Sequence, residues 1–181
     1  KDMQEKGTLK RKTVVATVMS NLGLELALGD LGIKLLRAEV GDRYVVEQMV
    51  SGGYNLGGEQ SGHILFLDHN TTGDGAITCL QLLALLVEKG KRLSELKKVM
   101  IRLPQVLVNV RVKEKKDLSG MPRVQQAMAM VQNELKERGR ILVRYSGTEP
   151  LARVMLEGEN EDKIKQMAGE IADAIGREVG A

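Results

Sequence analysis

Hydrophobic periodicity divides the chain into two parts at Leu103-Pro104. After Pro104, a valine stands at every second position from 106 to 112, which is the period of a half-buried β-strand. Before it, a helical pattern over 94–100 has to end, because the residue preceding a proline is biased away from helical geometry. The sequence therefore predicts two domains, 1–104 and 105–181.

The first part reads as strands alternating with helices. Strands are predicted over 14–19, 34–40 and from 64, and helices over 22–31, 44–50, 77–87 and 94–100. Ser20-Asn21 is a candidate helix cap. The helix over 77–87 is apolar on most sides, so we expect it to be buried against a sheet. This order predicts an α/β domain with a mixed sheet.

The second part reads as an antiparallel sheet covered by two helices. Apolar residues follow a single helical stripe over 124–135 and again over 164–175, and two strands lie between these stripes. The pattern predicts an α+β domain with both helices on one face of the sheet. Alternation assigns the strand residues Ile141, Val143, Val154 and Leu156 to the helix-covered face. Arg144 and Arg153 then share the opposite, open face.

Composition narrows the class of protein. The net charge is only +3 and aromatic residues make up 2% of the chain. The sequence therefore lacks the concentrated basic charge and the aromatic stacking surface expected of a nucleic-acid-binding protein. No apolar run approaches the roughly 20 residues that span a bilayer, so we expect no membrane segment. The single cysteine, Cys79, excludes an internal disulfide; we expect it to pack as a small hydrophobe in a cytoplasmic protein.

The segment 144–150, Arg-Tyr-Ser-Gly-Thr-Glu-Pro, has the composition of a phosphate site. Two arginines at close range repel each other, and an anion between them reverses that sign. Ser146 and Thr148 add hydroxyl donors, and Gly147 allows backbone N–H groups to turn inward. The alternative is an ordinary turn whose arginines pair with acidic neighbours, Glu149 and Glu157.

The segment 58–63, Gly-Glu-Gln-Ser-Gly-His, has the composition of a sugar site. An extended backbone would place Glu59 and Ser61 on one side, where both can accept from adjacent sugar hydroxyls. The alternative is a tight turn in which Glu59 caps neighbouring amides. His63 suits a proton carrier or a structural role. Asp68, His69 and Asp74 match no compact metal-ligand set, and Asp74 is expected to cap a helix.

Three segments, 40–45, 58–63 and 144–150 with Arg153, together resemble the C-terminal half of the bacterial phosphoglucosamine mutase family, in the α-D-phosphohexomutase superfamily. The resemblance implies the third, α/β domain followed by a fourth domain similar to the TATA-binding-protein fold. It also implies roles for individual residues. Substrate-binding residues would be Gly41, Asp42, Arg43, Glu59, Ser61 and His63, and phosphate-binding residues Arg144, Ser146, Gly147, Thr148 and Arg153.

This family interconverts glucosamine 6-phosphate and glucosamine 1-phosphate through a phosphoserine and a bisphosphate intermediate, with Mg²⁺. Nothing in this chain resembles the family's phosphoserine segment or its magnesium loop, which belong to its N-terminal domains. The resemblance therefore implies a chain that binds a hexosamine phosphate, holds no metal, has no catalytic residue beyond a candidate proton carrier at His63, and is inactive without those domains.

Two alternatives stay open at the level of sequence. Gln60 and Gly147 favour the amino-sugar branch over a phosphomannomutase or phosphoglucomutase, by resemblance alone. A free-standing sugar-phosphate binding module would carry the same two loops and no catalytic half.

Overall fold

The computed structural model describes the backbone of residues 1–181 and every side chain except that of Glu137. The chain divides into two compact units, Lys1–Arg102 and Leu103–Ala181. The first holds α1 (Asp2–Glu5), β1 (Thr13–Thr17), α2 (Leu22–Asp30), β2 (Lys34–Ala38), α3 (Asp42–Gly52), β3 (Leu56–Gly58), β4 (Ile64–Phe66), α4 (Gly75–Lys89) and α5 (Leu93–Leu96). The second holds β5 (Gln105–Arg111), α6 (Pro122–Leu135), β6 (Gly139–Tyr145), β7 (Leu151–Gly158) and α7 (Glu161–Val179).

The sheet of the first unit is mixed, as the sequence predicts. Its strand order is β2-β1-β3-β4, with β1 parallel to β2 and β3, and β4 antiparallel to β3. The short strand β3 was not predicted, because two of its three residues are glycine, a residue type that is uncommon in strands. Gly57 is required there by close packing: a Cβ at this position would collide with Met49, Val45 and the Val15 carbonyl.

Two small apolar clusters hold the first unit together. Val15, Ala38, Val45, Met49 and Leu65 form one cluster between α3 and the sheet. A second cluster of buried residues gathers around Leu28 of α2. The predicted cap at the start of α2 is confirmed, since the Asn21 side chain accepts a 3.0 Å hydrogen bond from the Gly23 N–H.

The prediction that α4 is buried is wrong. None of its residues is buried, and Leu80, Leu83 and Val87 are 65%, 50% and 84% exposed. Its main packing partner is the three-residue strand β4, which offers too little surface to cover a helix of 15 residues. Cys79 on this helix is exposed, so its predicted packing is wrong for the same reason.

Polar contacts fix both ends of α4. Asp74 caps its start, as predicted, by accepting a 2.9 Å hydrogen bond from the Ile77 N–H. At its end, Lys89 forms ion pairs with Asp2 and Glu5 of α1, and Glu88 forms one with Lys6, which follows α1. Ile77, Leu82, Leu85 and Leu86 are half-buried on one side of the helix, so polar contacts at its termini supplement a partly covered apolar face.

The second unit confirms the predicted antiparallel sheet with two helices on one face. Its strand order is β5-β7-β6, with both pairings antiparallel. Both helices pack on the face carrying Val154 and Leu156. The residues that α7 buries form one stripe: Ile164, Met167, Ala168, Ile171, Ala172, Ile175 and Val179.

The opposite face of this sheet is only partly open. Met155 is 1% exposed and Glu157 is completely buried. The Glu157 carboxylate accepts from the Arg140 Nε at 2.9 Å and Nη2 at 2.6 Å, and from the Gln105 amide at 3.0 Å. An ion pair therefore closes one end of this face, whereas the Arg144 and Arg153 end carries no buried pair.

Candidate functional site

Residues 59–62 form the tight turn that joins β3 to β4. The Glu59 N–H donates to the His63 carbonyl at 2.9 Å, and the Gly62 N–H donates to the Glu59 carbonyl at 3.1 Å. Gly62 has φ of +104°, a region that favours glycine. The expected extended backbone is therefore wrong, because β4 returns antiparallel to β3 and requires a reversal here.

The turn nevertheless gathers the predicted side chains around one ring nitrogen. The Glu59 Oε1 lies 3.2 Å from the His63 Nδ1, and the Ser61 Oγ lies 3.1 Å from the same nitrogen. The Glu59 side chain is 12% exposed and that of His63 is 53% exposed. A carboxylate and a hydroxyl held this way offer several acceptor positions beside each other.

A cleft of about 810 Å³ lies beside this turn within the first unit. Its lining includes the polar side chains of Glu59, Ser61 and His63. Its wall is apolar and includes Val14, Ala16, Leu24 and Leu56. The volume falls within the range of small-molecule sites, and an apolar wall with a few convergent polar groups is typical of them.

Sequence reasoning missed several residues that line this cleft. Thr17 is the last residue of β1, Ser20 and Asn21 follow that strand, and Arg102 is the last residue of the unit. The carboxyl ends of parallel strands meet at one edge of a sheet, where ligands bind. That rule could have found the residues after β1, whereas nothing in the sequence places Arg102 beside them.

Gly41 immediately precedes the helix α3, and Asp42 and Arg43 are its first two residues. Gly41 has φ of +128°, Asp42 is the first helical residue, and the Arg43 guanidinium lies 5.3 Å from the centre of the Tyr44 ring. The helix predicted over 44–50 therefore begins two residues earlier than expected. The residues that line the cleft include Val40 but not these three, so their assignment to substrate binding stays a prediction.

The candidate phosphate loop connects β6 to β7 in the second unit. The register places Arg144 directly opposite Arg153, on the face away from the helices, as the alternation predicts. Ser146 is 3% exposed, and its N–H donates to the Leu151 carbonyl at 2.8 Å. The hairpin thus brings both guanidinium groups and a buried hydroxyl to one end of the sheet.

One acidic neighbour pairs with these arginines and the other does not. The Glu149 Oε2 lies 2.8 Å from the Arg153 Nη2 and 3.5 Å from the Ser146 Oγ. Glu157 pairs with Arg140 instead. The Arg153 Nε is buried without a hydrogen-bond partner, and Arg144 makes no ion pair with a described residue. Ordinary charge pairing therefore accounts for Arg153 in part and leaves Arg144 unexplained.

Lys115 is a cationic neighbour of this loop that sequence reasoning missed. Its Nζ donates to the Ser146 carbonyl at 2.6 Å. Since β5 pairs Arg111 with Leu151, the chain leaves β5 at the end of the sheet where the loop lies. Only the strand order, which the sequence does not specify, could have brought Lys115 to the loop.

No group of three or more His, Cys, Asp or Glu side chains that could hold a metal occurs in the described part of the chain. Asp68 accepts hydrogen bonds from Lys10 and Asn55, which lower the pKa of its carboxyl. Asp74 is engaged as the cap of α4. Among the described helices, none is both long enough and apolar enough to cross a bilayer.

Solved structures establish the fold independently. The structure matches the Aspergillus fumigatus N-acetylphosphoglucosamine mutase in complex with GlcNAc-6P and magnesium. The match covers 91% of this chain and 41% of that enzyme, with a TM-score of 0.73 and 22% identity. A serine-to-alanine variant of the Aspergillus fumigatus enzyme, in complex with glucose 1,6-bisphosphate, matches over 93% of this chain and 39% of the other, with a TM-score of 0.74 and 21% identity.

Curated relatives are much closer in sequence. The phosphoglucosamine mutases of Geotalea daltonii and Geobacter metallireducens are 57% and 58% identical over 99% of this chain. The chain spans only 39% and 40% of the length of these two relatives, respectively. Residues 1–103 match the model for phosphoglucomutase/phosphomannomutase, alpha/beta/alpha domain III, and residues 107–174 the model for its C-terminal domain. The chain therefore belongs to the phosphoglucomutase/phosphomannomutase family.

Proposed function

We propose that this chain is the C-terminal part of a phosphoglucosamine mutase, an isomerase that interconverts glucosamine 6-phosphate and glucosamine 1-phosphate through a phosphoserine and a bisphosphate intermediate. In this proposal the chain supplies recognition of the sugar and of the phosphate and is inactive alone. The observation that carries it is the hairpin of the second unit, which places Arg144 opposite Arg153 beside the buried Ser146. The names of the relatives support the choice of reaction.

The phosphate is proposed to bind at residues 144–153. Two guanidinium groups about 5 Å apart repel each other by roughly 3 kcal/mol at an effective dielectric constant of 20. A bound phosphate replaces this repulsion with charge-assisted hydrogen bonds. Ser146, Gly147 and Thr148 would complete the site with hydroxyl and backbone donors.

The sugar is proposed to bind at the turn of the first unit. Glu59 and Ser61, both within 3.2 Å of the His63 Nδ1, are placed to accept from neighbouring sugar hydroxyls. The His63 Nδ1 is already in contact with both Glu59 and Ser61. We therefore propose only as a secondary role that His63 carries a proton during the reaction. Gly41, Asp42 and Arg43 are proposed as additional substrate contacts, by the family resemblance.

Magnesium and the phosphoserine are assigned to N-terminal domains of the complete protein. The described residues of this chain do not fit a magnesium site, because they contain no cluster of three metal-ligating side chains and Asp68 and Asp74 are already hydrogen-bonded. Without a nucleophile no group in this proposal accepts the phosphoryl, and without a metal the charge on the transferring phosphoryl group is not neutralised as phosphoryl transfer requires. We place the complete enzyme in the cytoplasm, in accord with the single cysteine of this chain.

Calorimetry with glucosamine 6-phosphate on the 181-residue chain tests the proposal. Arg144→Ala should weaken binding by roughly 10- to 100-fold, because hydrogen bonds to charged groups contribute about 1.5 to 3 kcal/mol. Arg123→Ala is the matched control, since Arg123 is 68% exposed and lies 3.8 Å from Glu178. Equal affinity of the wild-type chain and Arg144→Ala would contradict the proposal, as would turnover of the substrate by this chain alone.

The second candidate reaction is that of a phosphomannomutase or phosphoglucomutase. It is favoured by the family models, which carry both names and match both parts of the chain. The activity of the complete protein on glucosamine, mannose and glucose phosphates decides between them. The leading proposal requires the highest kcat/KM for glucosamine 6-phosphate.

A further inference from the structure

We infer that Glu149 is an internal competitor at the phosphate site: its carboxylate occupies the position of an anion beside Arg153 and Ser146, and a phosphate has to displace it. This inference rests on the phosphate site proposed above. The residues proposed above attract the phosphate, whereas Glu149 competes with it for the same donors.

A single oxygen of Glu149 contacts two of the proposed phosphate ligands. Its Oε2 accepts from the Arg153 Nη2 at 2.8 Å and lies 3.5 Å from the Ser146 Oγ. Phosphate and carboxylate oxygens accept from the same donors. The carboxylate therefore stands where an oxygen of a bound phosphate would have to lie.

The Glu149 contact leaves one donor of Arg153 unused. The Arg153 Nε is buried and has no hydrogen-bond partner in the described structure, and a buried donor without a partner is costly. A phosphate can bind Nε and Nη2 together as a fork. It would thus satisfy the donor that Glu149 does not reach.

The carboxylate is also easy to displace. The side chains of Glu149 and Arg153 are 52% and 31% exposed, and ion pairs of this kind are weak and screened by salt. The backbone of residue 149 stays anchored, since its N–H donates to the Ser146 Oγ at 3.3 Å and the following Pro150 restricts its conformation. Only the side chain has to swing away.

Displacement of Glu149 weakens every anion that binds here by the same factor, because only the molecules whose carboxylate has swung away can bind it. An anion with more charge and more acceptor oxygens than a carboxylate gains more from Arg144 and Arg153 than Glu149 does, and so still binds. Acetate offers no more than the carboxylate already present and should bind weakly. Removing the Glu149 charge should therefore tighten the binding of inorganic phosphate and of acetate by a similar factor.

Calorimetric titration with inorganic phosphate, at fixed pH and ionic strength, tests the inference. Glu149→Gln should bind phosphate roughly 2- to 5-fold more tightly than the wild-type chain, the range expected for loss of an exposed ion pair. Glu114→Gln is the matched control, because Glu114 is 58% exposed and pairs with Lys116 at 2.7 Å. This control removes the same charge from the same unit and should leave phosphate affinity unchanged. A melting curve confirms that each variant is folded.

The outcomes separate this inference from the proposed function. Weaker or unchanged phosphate binding by Glu149→Gln overturns the inference; weaker binding would show that Glu149 only positions Arg153. Suppose that either result is found, but the wild-type chain binds phosphate and Arg144→Ala weakens that binding. The proposed phosphate site then stands, and only the inference about Glu149 fails. Absence of phosphate binding in both the wild-type chain and Glu149→Gln overturns the proposed site and the inference together.

Discussion

The helices α4 and α7 are both rich in apolar residues, but only one of them is covered. In α7 the apolar residues form one stripe, and seven of them are buried against the sheet and α6. In α4 they lie on most sides, and none is buried. A stripe specifies which face needs a partner, whereas an apolar surface all round specifies none. The sequence predicted both helices, but it predicted the packing correctly only for the helix with a stripe.

The sharpest way to break this comparison is to truncate one residue in each helix. Ile171→Ala should destabilise the second unit by about 4 kcal/mol, because Ile171 is completely buried and its loss leaves a cavity. Leu83→Ala should cost less than about 1 kcal/mol, because Leu83 is 50% exposed. Urea unfolding, followed by NMR signals of each unit, measures both. Similar costs for the two substitutions would contradict the difference in burial.

A second substitution sharpens the comparison within the second unit, where polar groups are also buried. Glu157→Gln should cost about 3 kcal/mol, because it leaves the Arg140 charge without its buried partner. Glu159→Gln is the matched control: Glu159 is 63% exposed and lies 3.7 Å from Arg138. Its cost should stay below about 1 kcal/mol. Equal stability of the two variants in urea would show that the buried pair contributes nothing.

The smallest expected effect concerns the pH dependence of the first unit. Hydrogen bonds from Lys10 and Asn55 hold the pKa of Asp68 below the ordinary value of 3.8. A carboxyl with a lower pKa in the folded state stabilises the fold above its unfolded pKa, and this contribution is lost as the pH falls through the folded value. The first unit should therefore lose stability below about pH 4. Asp68→Asn should flatten this part of the curve, measured by thermal melts from about pH 6 to about pH 2.5; an unchanged slope would contradict the assignment.

The sequence specified the parts of the fold that depend on local pattern. The alternation in β6 and β7 assigned Arg144 and Arg153 to one face, and Asn21 and Asp74 cap their helices as predicted. It failed where a distant contact decides the local structure. Gly57 lies in a strand because α3 packs closely against it.

The candidate sites show the same division. Sequence motifs located Glu59 and Ser61 but not the turn that brings both to His63, because the turn follows from antiparallel pairing of β4 with β3. They located Arg144 and Arg153 but not Lys115, which the strand order places beside Ser146. Local chemistry can be recognised from composition, whereas neighbours that are distant in sequence require the topology.

The two loops differ in chemistry as well as in position, and their proposed roles can be tested separately in one protein. If the second unit binds phosphate and the first binds sugar, inorganic phosphate should shift the NMR signals of residues 144–153, and glucosamine those of residues 59–63. Titration of the 181-residue chain with each ligand alone measures this. We predict two separate sets of shifted signals. Phosphate shifts confined to residues 59–63, with residues 144–153 unchanged, would contradict this division of roles.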